Sequence, residues 1–225
     1  MGKTTQRKNG ETRKKILNAA AKLFLERGYE NSTVKAIAQE AGVNLGSLTF
    51  AFKSKEALLC ELVGHVFDAQ FEATGKLLKG KTEDKILFYA AETTLQLCIA
   101  ESSEHMREMY NVSYSLPNSS QVVYHKITGK LEEIFKEHLP DLETKDFFEL
   151  EIASAGIMRN FMTVPCTIYF TMKDKVARFL ETTFLVYRVS DEKIKEAIEF
   201  VSQFDFEKVA SEVLANMLDH LENKN

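Results

Sequence analysis

The sequence predicts an all-α protein, with a small N-terminal helix-turn-helix unit over residues 1–57 joined through a continuous helix to a larger helical body over 58–225. Three observations predict it. Long stretches carry apolar residues at helical spacing, alternating Val/Ile/Thr runs are scarce, and 225 residues hold only three prolines. That length buries a real core in one large unit or two modest ones. The composition matches neither a disordered nor a fibrous chain.

The elements follow in order. Residues 11–27 read as a helix, because Ile16, Ala20, Leu23 and Phe24 fall on one face. Gly28 stops it where helices often end on glycine. Asn31, Ser32 and Thr33 are N-cap residues for a second short helix, in which Val34, Ile37, Ala38 and Ala41 share a face up to Gly42. Asn44 caps a third helix that turns Leu48 and Phe52 inward, and Ser54 caps a fourth running through Leu58, Leu59, Leu62, Val63, Val66 and Phe67. Beyond it the pattern stays helical, with breaks at Lys79-Gly80-Lys81, Leu116-Pro117-Asn118, Leu139-Pro140-Asp141 and Val189-Ser190-Asp191. Pro165 should kink or end a helix in an apolar stretch.

Charge is unevenly spread. Residues 1–57 carry eleven Lys and Arg against five Asp and Glu, a net of +6, whereas the whole chain is −4, which leaves −10 on the remainder. A basic head on an acidic body places any polyanion-binding surface in the head; the alternative is a solvated basic helix face. No uninterrupted apolar run is long enough for a membrane span, and no apolar signal core follows the basic start, so no membrane partner and a cytoplasmic, nucleoid-associated location are expected. Cys60, Cys98 and Cys166 are too widely spaced for a C-x-x-C motif and read as reduced thiols, with a redox sensor as the alternative.

Two short helices around Ala41-Gly42-Val43-Asn44 form the sequence pattern of a helix-turn-helix at 33–52. Ile37, Ala38, Val43, Leu48 and Phe52 lock the helices, and Gly42 permits the turn. Gly46, Ser47 and Thr49 leave the second helix thin enough for a major groove. Residues 12–30, 33–44 and 53–59 resemble the opening helix, second helix and turn, and start of the fourth helix of the tetracycline-repressor (TetR) family. This resemblance spans roughly residues 12–63. It implies a regulator, most simply a repressor, that binds double-stranded operator DNA. By the same resemblance Thr33 and Lys35 contact phosphate or a base edge, Asn44, Leu45, Gly46 and Ser47 face the groove, and Lys55 reaches a phosphate. Thr33, Asn44 and Ser54 can equally be caps, Lys35 and Lys55 solvated lysines, and Leu45 either core or a contact to a thymine methyl. One stretch departs from the family, which usually carries Tyr and further aromatic or His residues where this chain has Thr49, Phe50 and Ala51. Thr49 has a shorter reach and Phe50 cannot hydrogen-bond, which shifts weight to Lys35, Lys53, Lys55 and the basic N-terminal arm. The same departure supports a second reading, a head of this fold that answers to a protein partner.

The body is rich in aromatic and thioether side chains. The resemblance implies a pocket for a small, largely apolar or amphipathic ligand, with Tyr110, Phe147, Met158, Phe161, Met162, Tyr169, Phe170 and Phe184 as candidate lining; each can equally be ordinary core. Arg159 and His125 either orient a ligand or lie at the surface. No cofactor and no metal are expected. An enzyme is not expected either: none of the five histidines has Glu three residues before it, as a ferritin-like diiron site requires, and H-E-x-x-H, Walker and G-x-S-x-G motifs are lacking. A terminal helix carries an apolar stripe of Phe206, Val209, Ala210, Val213, Leu214, Met217, Leu218 and Leu221. The stripe either packs on its own subunit or, as the resemblance favours, forms the interface of a two-fold homodimer.

Overall fold

The computed structural model describes the backbone of residues 2–222 and the side chains of residues 9–216. Among the described residues the regular structure is helical throughout: α1 (Gly2–Arg27), α2 (Val34–Glu40), α3 (Leu45–Ala51), α4 (Lys55–Leu78), α5 (Lys85–Glu101), α6 (Glu104–Ser115), α7 (Pro117–Phe135), α8 (Thr144–Thr163), α9 (Met172–Val186), α10 (Asp191–Val201) and α11 (Phe206–Glu222). The all-α class is as expected.

Local chemistry explains the boundaries. The side chains of Thr33, Asn44, Ser54, Asp84, Ser103 and Ser190 each accept a backbone N–H in the first turn of the helix that follows. Glu143 with Asp146, and Thr171 with Asp174, close reciprocal capping boxes on α8 and α9. Gly42 has φ of 64°, a left-handed conformation costly for other residues, and so makes the sharp turn between α2 and α3. Pro117 sits in the first turn of α7, where its missing N–H costs nothing. Pro165 falls in an irregular loop, 164–171, between α8 and α9, closed by an antiparallel bridge between Thr167 and Phe170.

Three boundaries differ from the sequence reading. Helix α1 begins at Gly2 instead of near residue 11, because a polar segment without an apolar stripe still continues the helix. The expected single helix after residue 80 is cut at Ser102-Ser103, where Ser103 caps α6. A further break at 202–205 separates α10 from α11.

Helix α5 is the axis of the body. From Tyr89 to Ala100 every residue is buried, because α4, α6, α7, α8, α9, α10 and α11 all pack against it. The terminal stripe belongs to this packing: Phe206, Ala210 and Val213 are buried and Val209 and Leu214 half-buried, with α11 lying on α5 and α4 of its own chain. The expectation that Phe206, Ala210 and Val213 form a dimer interface is therefore corrected. An apolar stripe shows that a helix buries one face, not against which chain. Met217, Leu218 and Leu221 lie outside the described side chains.

Candidate DNA interface and body cavity

In the head, Ile16, Ala20, Leu23 and Phe24 of α1 share a buried core with Ile37, Ala38, Leu48 and Phe52. Arg13 fastens the far end of α3: it donates to the Ala51 carbonyl at 2.7 Å, pairs with Glu61, and lies 4.0 Å over the Phe52 ring. Sequence reasoning missed this staple, since an arginine on a polar helix face has no local signature.

Inward anchoring leaves the opposite side of α3 free. Leu45 is 50% exposed and Phe50 84% exposed, and Gly46, Thr49, Lys53 and, on α2, Lys35 are exposed too. Leu45 is thus a surface residue and not core. Asn44 Oδ1 accepts from Ser47 N at 2.7 Å and Thr33 Oγ1 from Ala36 N at 3.1 Å, so both act as caps. Ser47 is half-buried. Thr49 Oγ1 donates to the Leu45 and Gly46 carbonyls of its own helix. Lys55 differs from expectation: its ammonium donates to the Tyr29 carbonyl at 2.8 Å and lies 4.1 Å over the Tyr29 ring, so it is committed within the head. Burial pushes the Tyr29 phenol up to about 12, and the nearby Glu56 and Glu30 add to this.

The head meets the body through α6. Glu108 accepts from the Glu30 backbone N–H at 2.8 Å, and His105 Nδ1 lies 2.9 Å from the Leu25 carbonyl. Gly28, at φ of 81°, lies beneath them, and a Cβ there would come within 2.1 Å of the Glu108 carboxylate. The other face of α6 enters the body, where Tyr110 donates to Gln70 and Gln96 donates to the Tyr114 hydroxyl at 2.9 Å.

Those tyrosines belong to a buried polar network. Gln70 donates to Glu92 at 3.2 Å, Ser154 to Glu151 at 2.8 Å, and Tyr187 to Ser154 at 2.7 Å. At its centre lies a cavity of about 30 Å³, room for an ordered water. Burial pushes Glu92 up to about 7 and Glu151 up to about 8; the neighbouring Glu92 charge raises Glu151 further, and the Gln70 and Ser154 donors only partly oppose the shifts. Near neutrality Glu92 is therefore about half protonated and Glu151 mostly so.

Of the eight candidate lining residues only Met158 borders the cavity. Tyr110 reaches it indirectly through Gln70. Phe147, Met162 and Phe184 are core, and Phe161 packs edge-on to Phe179. Tyr169 is 90% exposed in the 164–171 loop, which also holds Phe170, so neither lines an interior pocket. Aromatic content marks core in general, and the residues that do line the space were overlooked: Glu92, Thr93 and Gln96 on α5, and Glu151 and Ser154 on α8. Polar groups inside the otherwise apolar α5 were the available signal. Arg159 donates to Asn111 at 3.1 Å and His125 stacks on Phe148, both at the surface.

The three cysteines are free thiols, all raised by burial, Cys98 to about 12; none resembles an activated thiolate. Among the described residues no helix is long and apolar enough to cross a membrane.

A basic three-helix head with a glycine turn and a solvent-facing third helix has the architecture of a helix-turn-helix unit. The profile described as "Bacterial regulatory proteins, tetR family" matches residues 16–62, which are the helix-turn-helix head and the start of α4. The chain is similar to the uncharacterized HTH-type transcriptional regulator YvkB of Bacillus subtilis (strain 168), with 28% identity over 117 residues, 52% of this chain and 58% of that protein. It is 34% identical over 90 residues to the HTH-type transcriptional repressor KstR2 of Rhodococcus jostii (strain RHA1), 40% of this chain and 44% of that one. The matched stretches thus span about half the length of these relatives. Among solved structures, RolR in complex with resorcinol superimposes with a TM-score of 0.67 at 17% identity, covering 88% of this chain and 97% of that one, a likeness of fold.

Proposed function

We propose that this chain is a dimeric, sequence-specific regulator that binds duplex operator DNA through α3, acts as a repressor, and leaves the operator when a small molecule occupies the body. The observation that carries the DNA reading is the solvent-facing side of the helix-turn-helix: Lys35, Leu45, Gly46, Thr49, Phe50 and Lys53 reach solvent on a head with net charge +6, while the inward face is fastened by Leu48, Phe52 and Arg13. Lysines at the rim suit phosphates; Leu45 and Phe50 suit thymine methyls and sugar faces. Repression is supported by relatives named as repressors, such as KstR2.

The ligand reading rests on α6, which touches the cavity network through Tyr110 and Tyr114 and the head through His105 and Glu108. A solved neighbour that holds resorcinol adds support. A cavity of about 30 Å³ admits no drug-sized molecule, so a ligand must select a wider arrangement of the body helices. Movement of α6 in that arrangement would shift the head.

The dimer reading moves from α11 to the outward faces of α8 and α9. These helices pack on each other and expose Ile152 (48%), Leu185 (65%) and the small residues Ala153 and Gly156. Large apolar groups interleaved with small ones allow close approach of a symmetry mate. Two heads one helical turn apart would then supply operator affinity. Sedimentation of Leu185→Glu against wild type tests this: the variant should sediment as a monomer, and a wild-type protein already at 25.6 kDa excludes the dimer.

A gel shift with genomic fragments at two salt concentrations tests the main reading. Specific, salt-sensitive retardation is expected. Equal affinity for all duplexes would instead favour a protein partner, the reading that the exposed Phe50 also supports.

A further inference from the structure

The cavity is lined by two carboxyl groups and by one lysine, the exposed Lys130 of α7. Glu92 and Glu151 come from different helices, α5 and α8, and both border the same space. Each receives one side-chain hydrogen bond, from Gln70 and from Ser154. Both side chains are buried, Glu92 at 4% and Glu151 at 3% exposure. The walls between them are aromatic and aliphatic: Phe67, Phe71, Tyr89, Tyr114, Ile127 and Met158. The remaining titratable groups around the space are the phenols of Tyr89, Tyr110, Tyr114 and Tyr187, held neutral by burial, and Lys130 on α7. The Lys130 ammonium is already paired with Glu133 at 3.1 Å and lies 5.5 Å from the Phe71 ring on the cavity wall.

We infer that this cavity is the receptor for a small organic cation, an aromatic or alkyl amine whose ammonium is received by Glu92 and Glu151 and whose apolar part lies against Phe67, Phe71, Tyr89 and Tyr114. The inference rests on the ligand reading above and gives that ligand its chemical class. A buried acid without a counterion is held toward its protonated form, and its burial costs stability that packing does not return. An entering ammonium supplies the missing charge, one or both acids release a proton, and the ion pair forms where water cannot screen it. Ring faces on the cavity wall add cation–π attraction. A carboxylate ligand would meet two acids and only a lysine already paired with Glu133. A neutral ligand would find acceptors but gain nothing from ionising them.

The probes are benzylamine, benzyl alcohol and benzoate, which share a ring and differ in charge. Their binding to the full chain is followed by titration calorimetry in two buffers of different ionisation enthalpy. Benzylamine should bind about tenfold or more tighter than benzyl alcohol, and benzoate weakest, as a desolvated charge pair predicts. Amine binding should release protons and strengthen from about pH 6 to about pH 8 as the acids ionise more readily. Glu92→Gln and Glu151→Gln should remove most of the amine preference and leave benzyl alcohol within about twofold, since the amide keeps the shape and loses the charge. If a Gln variant fails to fold by circular dichroism, proton release by the wild type decides alone. Benzyl alcohol binding as tightly as benzylamine, no benzylamine binding up to millimolar concentration, or an amine preference unchanged in both variants overturns the inference. Operator affinity measured with each probe separates the two readings. Amine binding without operator release would count against the regulator reading alone, and release by benzoate or benzyl alcohol only would count against the cation alone.

Discussion

The head and the body solve opposite problems. The head buries only what packs: Ile16, Phe24, Ile37, Leu48 and Phe52 form its centre, and its polar side chains are spent on caps, on the Arg13 and Lys55 staples, or on solvent. The body buries what does not pack by itself, enclosing Gln70, Glu92, Gln96, Glu151 and Ser154 around its central helix. A surface that reads DNA needs a rigid support and an exposed face, which an apolar core supplies. A chamber that recognises a small molecule needs polar groups held ready in a dry place, and these cost stability until something satisfies them.

The largest effect should come from the head core. Leu48→Ala leaves a cavity beneath α3 and should destabilise the protein by about 2–5 kcal/mol, read as a lower denaturant midpoint with loss of operator binding. A loss under about 0.5 kcal/mol would mean that the head is not a packed unit of this kind.

Next comes the pH dependence of the body. Glu92 and Glu151 hold their protons more tightly in the folded chain than at the ordinary 4.5, at about 7 and about 8. Between 4.5 and those values the folded state binds the extra protons. Stability should therefore fall as pH rises through that window, by up to about 1.4 kcal/mol per pH unit for each acid, and level off above it. Thermal melts of the Glu92→Gln, Glu151→Gln double variant should show a flatter profile from about pH 5 to about pH 8. An equally steep profile would place the titrating groups elsewhere.

Smaller effects separate the lysines of the head. Lys55→Ala should cost about 1 kcal/mol of stability through its lost Tyr29 contacts and leave the salt slope of DNA binding nearly unchanged. Lys35→Ala and Lys53→Ala should leave stability within about 0.5 kcal/mol and each lower the slope of log affinity against log salt by about 0.9. Salt titration of operator binding, set beside denaturant melts, distinguishes the two kinds of lysine. A reversed pattern would show that Lys55 leaves Tyr29 in the complex.

Much of the head was legible in sequence because its determinants are local. Cap residues lie within three positions of the N–H groups they satisfy, and Gly28 and Gly42 mark the turns at the positions that adopt positive φ. The start of α1 escaped, since no apolar stripe announces a helix through Thr4 and Gly10. In the body the determinants are long-range. Nothing near Glu92 tells that Gln70 and Glu151 face the same space, and nothing near Lys55 tells that its ammonium turns to Tyr29. The stripe on α11 had the right period, but periodicity carries no information about which partner covers it.

The seam between head and body also bears on how the molecule opens. Contacts inside the head join residues at most a few tens of positions apart, whereas the Glu30–Glu108 hydrogen bond closes a separation of 78. The head also shares its buried core with the body through α4 and packs on α6 and α11, so this hydrogen bond lies at the partly exposed edge of a larger seam. Amide hydrogen exchange should accordingly show the backbone N–H of Glu30 exchanging through a sub-global opening while those of α5 wait for complete unfolding. Such an opening would lie where α6 meets the head, the contact through which the proposed ligand response would pass.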